Sequence, residues 1–265
     1  MKGVPTTAPL SVDELTALLG PGSCWGPIRW RASTGSTNQD AAALIKAGGD
    51  AGLVVLSEHQ AEGRGRFARE WRDTPGTSVA CSAVVAPRPA PPMWGWLSLL
   101  VGLAVREGVE RYTHAGAGRV TLKWPNDVLV DGRKVCGILC ERAGDLAVLG
   151  WGLNVCMDEC ELPVPTAGSL LLAGLPHDKT AVLAEVLASL QRWFGLWQDR
   201  GELRAEYEAA CDTIGRQVNL HVDVQRAAAG VLTGHAVGVD PTGAILIERG
   251  GQVEAHSAGD VVHLR

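Results

Sequence analysis

The stretch that decides the fold is "RVTLKWPNDVLVDGRKVCGILCERA" at residues 119–143, continued by "DLAVLGWGLNV" at 145–155. Short apolar runs alternate here with turn residues, first at Pro125-Asn126-Asp127 and again at Asp131-Gly132. Runs rich in valine, isoleucine and leucine between such turns are typical of neighbouring strands. The pattern therefore predicts several adjacent strands of one sheet.

Further strands and helices are predicted on both sides of this region. Two more strand-like runs are "AGLVVLSEHQ" at 51–60 and "TSVACSAVVAP" at 77–87. Ser11 as N-cap, with Glu14 three positions later, predicts a helix over 11–19. Other helices are predicted after "STGSTN" up to Gly48 and Gly49, over 93–114, and over 178–211. The whole indicates an α+β fold, a mixed β-sheet with flanking helices.

The character of the chain changes near Ile214. The remaining pieces are short and β-rich: "RQVNLHVDV", "GVLTGHAVGVD", "GAILIERG" and "QVEAHSAGDVVHLR". Several short strands separated by turn residues predict a small closed barrel. We therefore expect two domains, residues 1–212 and residues 213–265.

Composition places the chain among ordinary soluble globular proteins. Its 265 residues are 46% hydrophobic and 20% charged, with a net charge of −5, so no general attraction to nucleic acid is expected. The first residues show no secretory signal pattern. The most apolar run, at 93–105, is shorter than the roughly 20 residues of a membrane span. A cytoplasmic protein without membrane contact is predicted.

The cysteines and the missing motifs narrow the chemistry. Seven cysteines occur without a CxxC pair, and the spacings of Cys136 with Cys140 and of Cys156 with Cys160 match no zinc pattern. They are interpreted as buried, reduced thiols, and no metal site is predicted. The chain also lacks Walker A, GxGxxG, HExxH and GxSxG sequences, which argues against P-loop ATPases, Rossmann dehydrogenases, zincins and α/β-hydrolases.

"AEGRGRFAREW" at 61–71 is the most unusual segment. Arginine forks suit carboxylate and phosphate oxygens, and flanking glycines let backbone N–H groups approach the same anion. A solvated surface loop and an RGG-like nucleic-acid segment are the alternatives. Four arginines within 58–73 are balanced by Glu58, Glu62, Glu70 and Asp73, so the local charge is zero. A small-anion site is the interpretation we pursue.

Four other motifs have both a functional and a structural interpretation. "GSTN" at 35–38 offers hydroxyls and an amide at a helix N-terminus, or simply an N-cap. "KWPND" at 123–127 combines a lysine, an aromatic ring, a turn and two polar side chains. Lys134 heads the apolar run "VCGIL" and either points into a site or is a solvated lysine; "GWGLN" at 150–154 allows close backbone approach or is merely a turn.

Taken in order, these pieces resemble one family. "STGSTN", "EHQAEGRGR" with Arg69 and Trp71, "KWPNDV", "GRKVCGIL" with Glu141, and "GWGLNV" are similar in sequence and spacing to the signature blocks of bacterial biotin protein ligases. The blocks span residues 33–155, and "SAGDVVHL" at 257–264 resembles the end of that family's carboxy-terminal barrel. Five ordered blocks are much more specific than any one of them.

The resemblance implies a fold and a reaction. The fold would be the class II aminoacyl-tRNA synthetase-like, biotin/lipoate ligase fold with a C-terminal SH3-like barrel. The biotin carboxylate would attack the α-phosphate of MgATP, giving biotinoyl-5'-AMP and pyrophosphate. A lysine of the biotin carboxyl carrier protein domain of acetyl-CoA or acyl-CoA carboxylase would then attack this mixed anhydride. The expected ligands are thus biotin, ATP and Mg²⁺.

The resemblance also implies roles for individual residues. Lys134 and Arg66 would be catalytic, because fixed positive charge is needed where two anions react. The residues expected to bind biotin are Ser36, Thr37, Asn38, Gln60, Gly63, Arg64, Gly65, Arg66, Lys134 and Gly137. Those expected to serve the nucleotide are Arg66, Arg69, Trp71, Asn126, Lys134 and Asn154.

The sequence departs from the family pattern at two positions. The family commonly has glycine where this chain has Ala68, which would be strained at positive φ, and a smaller residue than Trp151 within "GWGLN". About 35 residues precede "STGSTN", so a single-function ligase without a DNA-binding domain is expected. The alternatives are a lipoate–protein ligase and, from another class, a non-enzymatic nucleic-acid-binding regulator, which the acidic charge and the two Phe and two Tyr residues disfavour.

Overall fold

A seven-stranded mixed sheet forms the larger part of the protein. The structure is a computed structural model that describes residues 8–222 and 230–264. The strands are β1 (Ile28–Arg31), β2 (Val54–Ser57), β3 (Ser78–Val85), β4 (Val120–Lys123), β5 (Asp127–Val130), β6 (Arg133–Ala143) and β7 (Leu146–Asn154). Their order is β1-β2-β3-β7-β6-β5-β4, with β1 parallel to β2 and the remaining pairs antiparallel. The predicted mixed sheet is confirmed.

Helices cover both faces of this sheet. They are α1 (Val12–Leu19), α2 (Thr37–Lys46), α3 (Trp96–Thr113), α4 (Lys179–Arg200) and α5 (Arg204–Ala210). Side chains alternate between the faces of a strand, so Val54 and Leu56 join the large core beneath α3 and α4, whereas Val55 packs with Ala41 of α2 on the other face. Two apolar layers therefore enclose the sheet.

Two predicted helices have different boundaries in the structure. The helix expected over 93–114 begins with a 3₁₀ turn, Pro91–Gly95, and becomes α-helical at Trp96. The helix expected over 178–211 is two helices, because Gly201 at φ 79° ends α4 before α5 begins. The predicted first helix is confirmed, with Ser11 Oγ accepting from the Glu14 N–H at 3.3 Å.

The carboxy-terminal strands form a separate five-stranded antiparallel sheet. They are β8 (Gln217–His221), β9 (Val231–Val239), β10 (Ile245–Arg249), β11 (Gln252–His256) and β12 (Asp260–His263), in the order β11-β10-β9-β8-β12. Each neighbouring pair is antiparallel. The first predicted piece, "RQVNLHVDV", runs to 224, and its last two positions lie outside the described residues.

Two buried tryptophans attach this second sheet to the first. Trp96 Nε1, at the start of α3, donates to the Pro241 carbonyl at 2.8 Å. Trp124 Nε1 donates to the Gly243 carbonyl at 3.2 Å, and the Trp124 backbone N–H donates to Thr213 Oγ1 at 3.1 Å. Since a buried indole N–H needs a partner, these bonds fix where the two sheets meet. Trp124 belongs to the "KWPND" motif, so that motif lies at the junction.

The structure also tests the predictions that the thiols are buried and that no helix spans a membrane. All seven cysteines lie in the described ranges, where no disulfide is formed. Cys24 and Cys160 are exposed and Cys140 is half-buried, so the prediction of buried thiols is confirmed only for the other four. Within the same ranges no group of three or more His, Cys, Asp and Glu side chains could hold a metal ion. None of the described helices combines the length and apolar character that crossing a membrane requires.

Candidate active site

A cavity of about 500 Å³ lies between the large sheet, the glycine-arginine segment and the carboxy-terminal sheet. Its walls come from the start of α2, from residues 60–71, from the "KWPND" turn, from β6 and β7, and from β12. The predicted site residues that line it are Ser36, Thr37, Asn38, Gln60, Arg64, Gly65, Arg66, Arg69, Trp71, Asn126, Lys134 and Gly137. The structure thus brings most of the separate motifs into one place.

Bare backbone forms the floor of the cavity. In the register of the sheet, Gly137 of β6 pairs with Gly152 of β7, and Gly150 pairs with Leu139. A Cβ on Gly150 would lie 2.1 Å from Asn38 Oδ1, and one on Gly152 would lie 2.6 Å from the Trp71 ring. Such distances are too short for any side chain, so these glycines are required by close approach.

A polar network occupies one end of the cavity. Gln60 Oε1 accepts from the backbone N–H of Thr37 at 2.9 Å, and Thr37 Oγ1 lies 3.2 Å from the same oxygen. Ser82 Oγ lies 2.8 Å from Thr37 Oγ1 and 2.6 Å from Asn38 Oδ1. Ser36 stands at the N-cap position of α2 but makes no side-chain capping bond, so the N-cap interpretation of its hydroxyl is wrong.

Glu141 joins this network to the glycine-arginine segment. One of its oxygens, Oε2, accepts from Asn38 Nδ2 at 2.7 Å and from Arg64 Nη2 at 2.8 Å. Asn38 Nδ2 also donates to the Leu139 carbonyl at 3.0 Å, so its amide orientation is fixed on both sides. One carboxylate therefore holds two of the predicted site residues together.

The segment 61–71 is a small hairpin, which we call the arginine hairpin. The Trp71 N–H donates to the Gly63 carbonyl at 2.8 Å, and the Gly65 N–H donates to the Arg69 carbonyl at 2.7 Å. At its tip Phe67 and Ala68 have φ values of 55° and 58°. The expectation that Ala68 occupies a conformation that favours glycine is confirmed.

The arginines of the hairpin face an acidic residue of the carboxy-terminal sheet. Arg69 forms an ion pair with Asp260 of β12, and Arg66 lies 3.8 Å from the same carboxylate. Arg66 Nη1 also donates to the Gly259 carbonyl at 3.0 Å. Burial lowers the pKa of Arg66, while Asp260 and Asp127 act in the opposite direction. The guanidinium stays charged, because its ordinary pKa lies far above neutrality.

Lys134 points into the cavity from β6. Its Nζ lies 2.5 Å from Asp127 Oδ1, and its backbone N–H donates to the Thr166 carbonyl at 2.9 Å. The side chain is 34% exposed and borders the cavity, so Lys134 is paired with Asp127 and only partly in solvent. An ammonium group paired with one carboxylate can still attract a second anion that enters the cavity.

Two predicted site residues and one motif differ from their predicted placement. Gly63 does not line the cavity; a Cβ there would lie 2.5 Å from the Trp71 carbonyl oxygen, so this glycine shapes the hairpin. Asn154 is buried and donates to the Gly168 carbonyl at 2.9 Å, away from the cavity. "GWGLN" is part of strand β7 and not a turn, with Trp151 only 4% exposed. Asn126 lines the cavity, although its amide donates to the Ile138 carbonyl at 3.1 Å.

The sequence prediction missed several residues of the cavity wall, among them Asp127, Gly150, Gly152 and Asp260. It also missed Ser82 and Glu141, which hydrogen-bond to the lining residue Asn38. A signal existed for the glycines, because Gly150 and Gly152 are two apart and so share a face of a strand. Glu141 and Gly137 are four positions apart on β6, an even spacing that also places both on one face of the strand. Asp260 lies in the "SAGDVVHL" block, but nothing in that block indicates that its carboxylate contacts the arginines from the other sheet.

Comparison with known proteins places this geometry in context. Residues 31–154 match the biotin/lipoate A/B protein ligase family, and residues 213–264 match the biotin protein ligase C-terminal domain. The biotin–[acetyl-CoA-carboxylase] ligase of Mycobacterium tuberculosis is 38% identical over 252 residues, which cover 94% of this chain and 93% of that protein. The bifunctional ligase/repressor BirA of Escherichia coli is 30% identical over 238 residues, 85% of this chain and 70% of that protein.

Solved structures agree with these relatives. The biotin protein ligase of Aquifex aeolicus in complex with biotin and ATP superposes with a TM-score of 0.75 and 25% identity, covering 91% of this chain and all of that one. A biotin protein ligase of Leishmania major with biotinyl-5-AMP superposes with a TM-score of 0.57 at 21% identity, which supports the fold.

Proposed function

The chain belongs to the biotin protein ligase family, and we propose that its cavity joins biotin to ATP and then transfers the biotinoyl group to a carrier lysine. It is an enzyme that attaches biotin to a carboxylase at the expense of ATP. The observation that carries the residue assignments is the cavity itself, which unites Lys134 and Arg66 with a cluster of hydroxyl and amide groups.

The first step joins two anions. An oxygen of the biotin carboxylate attacks the α-phosphorus of ATP, and the bond from that phosphorus to the bridging oxygen breaks to release pyrophosphate. We assign Lys134 and Arg66 to this centre, because both carry positive charge into a partly buried cavity. There they offset the repulsion between carboxylate and phosphate and stabilise the transition state. The Asp127 partner keeps the Lys134 ammonium oriented.

The second step consumes the mixed anhydride. The uncharged ε-amine of a carrier lysine attacks the biotinoyl carbonyl carbon, the carbon–oxygen bond to phosphate breaks, AMP leaves, and the new amide nitrogen loses one proton to solvent. The carrier is expected to be the biotin carboxyl carrier domain of an acetyl-CoA or acyl-CoA carboxylase. A hairpin that covers the adenylate would protect it from water until the carrier lysine arrives.

The polar end of the cavity suits a head group that both donates and accepts hydrogen bonds. Ser36, Thr37, Asn38 and Gln60 supply hydroxyl and amide groups there, while Gly137 lets backbone approach the ligand. Arg64 and Gly65 close this side from the hairpin. We assign these residues to biotin, and Gly63 to the shape of the hairpin.

The nucleotide is assigned to other residues of the cavity wall. Arg69 would contact phosphate, Trp71 would pack against a ring, and Asn126 borders the same space. Asn154 would act indirectly, by holding the segment around Gly168 beside β7.

Mg²⁺ is expected to arrive with the triphosphate. Because the described residues contain no cluster of three or more potential ligands, phosphate oxygens and water would provide most of its coordination. The acidic side chains that line the cavity are Glu70, Asp127 and Asp260, and any protein ligand to the ion would come from these three, each of which is paired with an arginine or lysine. When bound, Mg²⁺ neutralises phosphate charge.

Pyrophosphate exchange into ATP tests the function. Exchange should require Mg²⁺ and biotin, and should not occur with lipoate or octanoate as the acid. Comparable exchange with lipoate would favour the alternative, a lipoate–protein ligase, while no exchange with biotin would contradict the main proposal. The matched control is the same assay with Lys134→Ala protein, which excludes a contaminating ligase.

Three further expectations accompany this proposal. The units 1–212 and 213–265 are taken as a catalytic domain and a carboxy-terminal domain, to be tested by limited proteolysis. A cytoplasmic location would be tested by cell fractionation. The absence of a nucleic-acid partner stays a prediction, and a footprint on promoter DNA at physiological salt would contradict it.

A further inference from the structure

A hydrogen-bonded pair of side chains, His59 and Asp73, lies at the base of the arginine hairpin. His59 and Asp73 lie just outside the two ends of the segment 60–72. His59 Nδ1 and Asp73 Oδ1 are 2.6 Å apart. The Asp73 side chain is fully buried, whereas that of His59 is 26% exposed. His59 lies within the "EHQAEGRGR" block, but neither His59 nor Asp73 is among the residues predicted to bind a ligand.

The same carboxylate contacts residues on both sides of the cavity. Asp73 Oδ1 accepts weakly from the backbone N–H of Gln60 at 3.4 Å, and Gln60 holds Thr37 in the polar network. Burial raises the pKa of Asp73, while His59, the Gln60 backbone N–H and, least, the Trp71 indole act in the opposite direction. Within the described ranges, Asp73 Oδ2 and Trp71 Nε1 are buried without a formal hydrogen-bond partner. The indole thus influences the carboxylate without forming a hydrogen bond of normal geometry to it.

Burying a carboxylate with one unpartnered oxygen is costly for the fold. The backbone of His59 is already fixed, because its carbonyl accepts from the Thr34 N–H at 3.0 Å and from Ser57 Oγ at 2.7 Å. The bond from the fixed His59 to Asp73 therefore holds the second half of the hairpin, which ends before Asp73, in position. Burial of the Asp73 carboxylate therefore lowers the stability of the fold, and the benefit that we assign to it is the positioning of Gln60 and Trp71.

We infer that His59 and Asp73 are positioning residues, which hold Gln60 and Trp71 in register so that the arginine hairpin covers the cavity. This inference rests on the proposed function, because it concerns how the same cavity holds biotin and its adenylate. Neither residue lines the cavity, so both act through their neighbours.

Four variants separate positioning from folding. His59→Leu removes the donor, whereas His59→Asn places an amide nitrogen near the position of Nδ1. Asp73→Asn keeps the shape of the carboxylate but removes its charge. Arg72→Gln is the matched control, since it breaks an exposed pair with Glu70 one residue from Asp73. For each protein we would measure the unfolding temperature, the adenylate-forming fraction of active sites, the KM for biotin in pyrophosphate exchange, and the half-life of bound biotinoyl-AMP.

His59→Leu and Asp73→Asn should raise the KM for biotin about tenfold and shorten the adenylate half-life by a similar factor, as expected on losing a charge-assisted hydrogen bond. His59→Asn and Arg72→Gln should stay within about twofold of wild type. If Asp73→Asn does not fold, the comparison of the two His59 variants decides.

An unchanged biotin KM in folded His59→Leu protein would overturn the inference. So would a loss that appears only as fewer active sites, or a His59→Asn variant as impaired as His59→Leu. If wild-type protein itself shows no biotin-dependent exchange, the proposed function fails instead.

Discussion

Arg69 of the arginine hairpin and Asp260 of strand β12 form an ion pair that joins the two sheets across the mouth of the cavity. Arg66 reinforces the contact through the Gly259 carbonyl. Asp260 thus offers a carboxylate to the arginines that we assign to ligand anions. The arginines of the hairpin already contact the Asp260 carboxylate, and a ligand anion would compete with this carboxylate for them.

Replacing Asp260 by Asn should loosen the hairpin when no ligand is added. Arg69 is 59% exposed, so the pair is screened and its loss should raise the trypsin cleavage rate within 61–71 only about two- to fivefold. Biotin with ATP should restore protection in the variant, because a ligand anion replaces the carboxylate. Asp145→Asn makes the same change of charge at an exposed turn and should leave cleavage unchanged. Equal cleavage of Asp260→Asn and wild-type protein would contradict the prediction.

Lys134→Ala should fold normally and lose adenylate formation. The side chain is one-third exposed and contributes little to the core, but it places an ammonium group where two anions are expected to meet. Removing one such preorganised charge should slow single-turnover adenylation about 10²- to 10³-fold. The matched control is Lys46→Ala in the last turn of α2, which should react at the wild-type rate. Near-normal adenylation by a folded Lys134→Ala protein would show that Lys134 is not catalytic.

Adding one methyl group to the glycine floor should weaken biotin binding. In Gly150→Ala the new Cβ would meet Asn38 Oδ1 at 2.1 Å, so Asn38 must move and its bonds to Ser82 and Glu141 are disturbed. We expect the KM for biotin to rise at least about tenfold, with destabilisation of about 1–3 kcal/mol. Calorimetry and exchange kinetics would check both values. Gly195→Ala, in a helix with open space around it, is the control and should be neutral or stabilising.

The buried pair of Lys179 with Glu58 should affect stability and not chemistry. Lys179 is 2% exposed, and it also donates to the Gly76 carbonyl at 2.9 Å. Lys179→Met leaves Glu58 buried without its partner and should cost about 3–5 kcal/mol of unfolding free energy. The double variant Lys179→Met with Glu58→Gln should regain part of this loss in urea denaturation. A double variant less stable than the single one would contradict the assignment.

Ala68→Gly should stabilise the hairpin tip. Ala68 has a φ of 58°, where an L-residue loses about 1–2 kcal/mol, while glycine costs about 0.4–1 kcal/mol through the unfolded chain. The net gain should be about 0.5–1 kcal/mol. Denaturant unfolding would measure it. Ala42→Gly, within α2, should instead lose about 1 kcal/mol.

The fold could be predicted from the sequence where local patterns fix it. The turns at Pro125 and Asp131 divide residues 119–143 into strands, and the glycine pair after α2 marks the end of that helix. The break at Gly201 was missed because buried Trp197, Leu203 and Tyr207 keep apolar side chains on both sides of it. Gly201, in the left-handed conformation, ends the helix, although the apolar pattern continues after it.

The candidate site was predictable only as a set of motifs. Each motif contributes side chains to the same cavity, but the bonds between motifs carry no local signal. Glu141 reaches Arg64 across 77 positions, and Arg66 reaches Gly259 across 193. Because periodicity describes neighbours along the chain, such pairings become visible only once the sheets are assembled. The departure at Ala68 was predictable, since its backbone strain is a local property.

The indole of Trp71 lies directly over Gly137 and Gly152, and this arrangement has an optical consequence. A ligand that enters the cavity must change the surroundings of that ring, and indole emission responds to polarity and to stacking. The chain contains nine tryptophans, so the spectrum of the wild-type protein is a mixture. Subtracting the emission of Trp71→Phe protein would isolate the contribution of one ring. The protein would then carry its own fluorescent reporter of occupancy, which could follow binding in real time without a label.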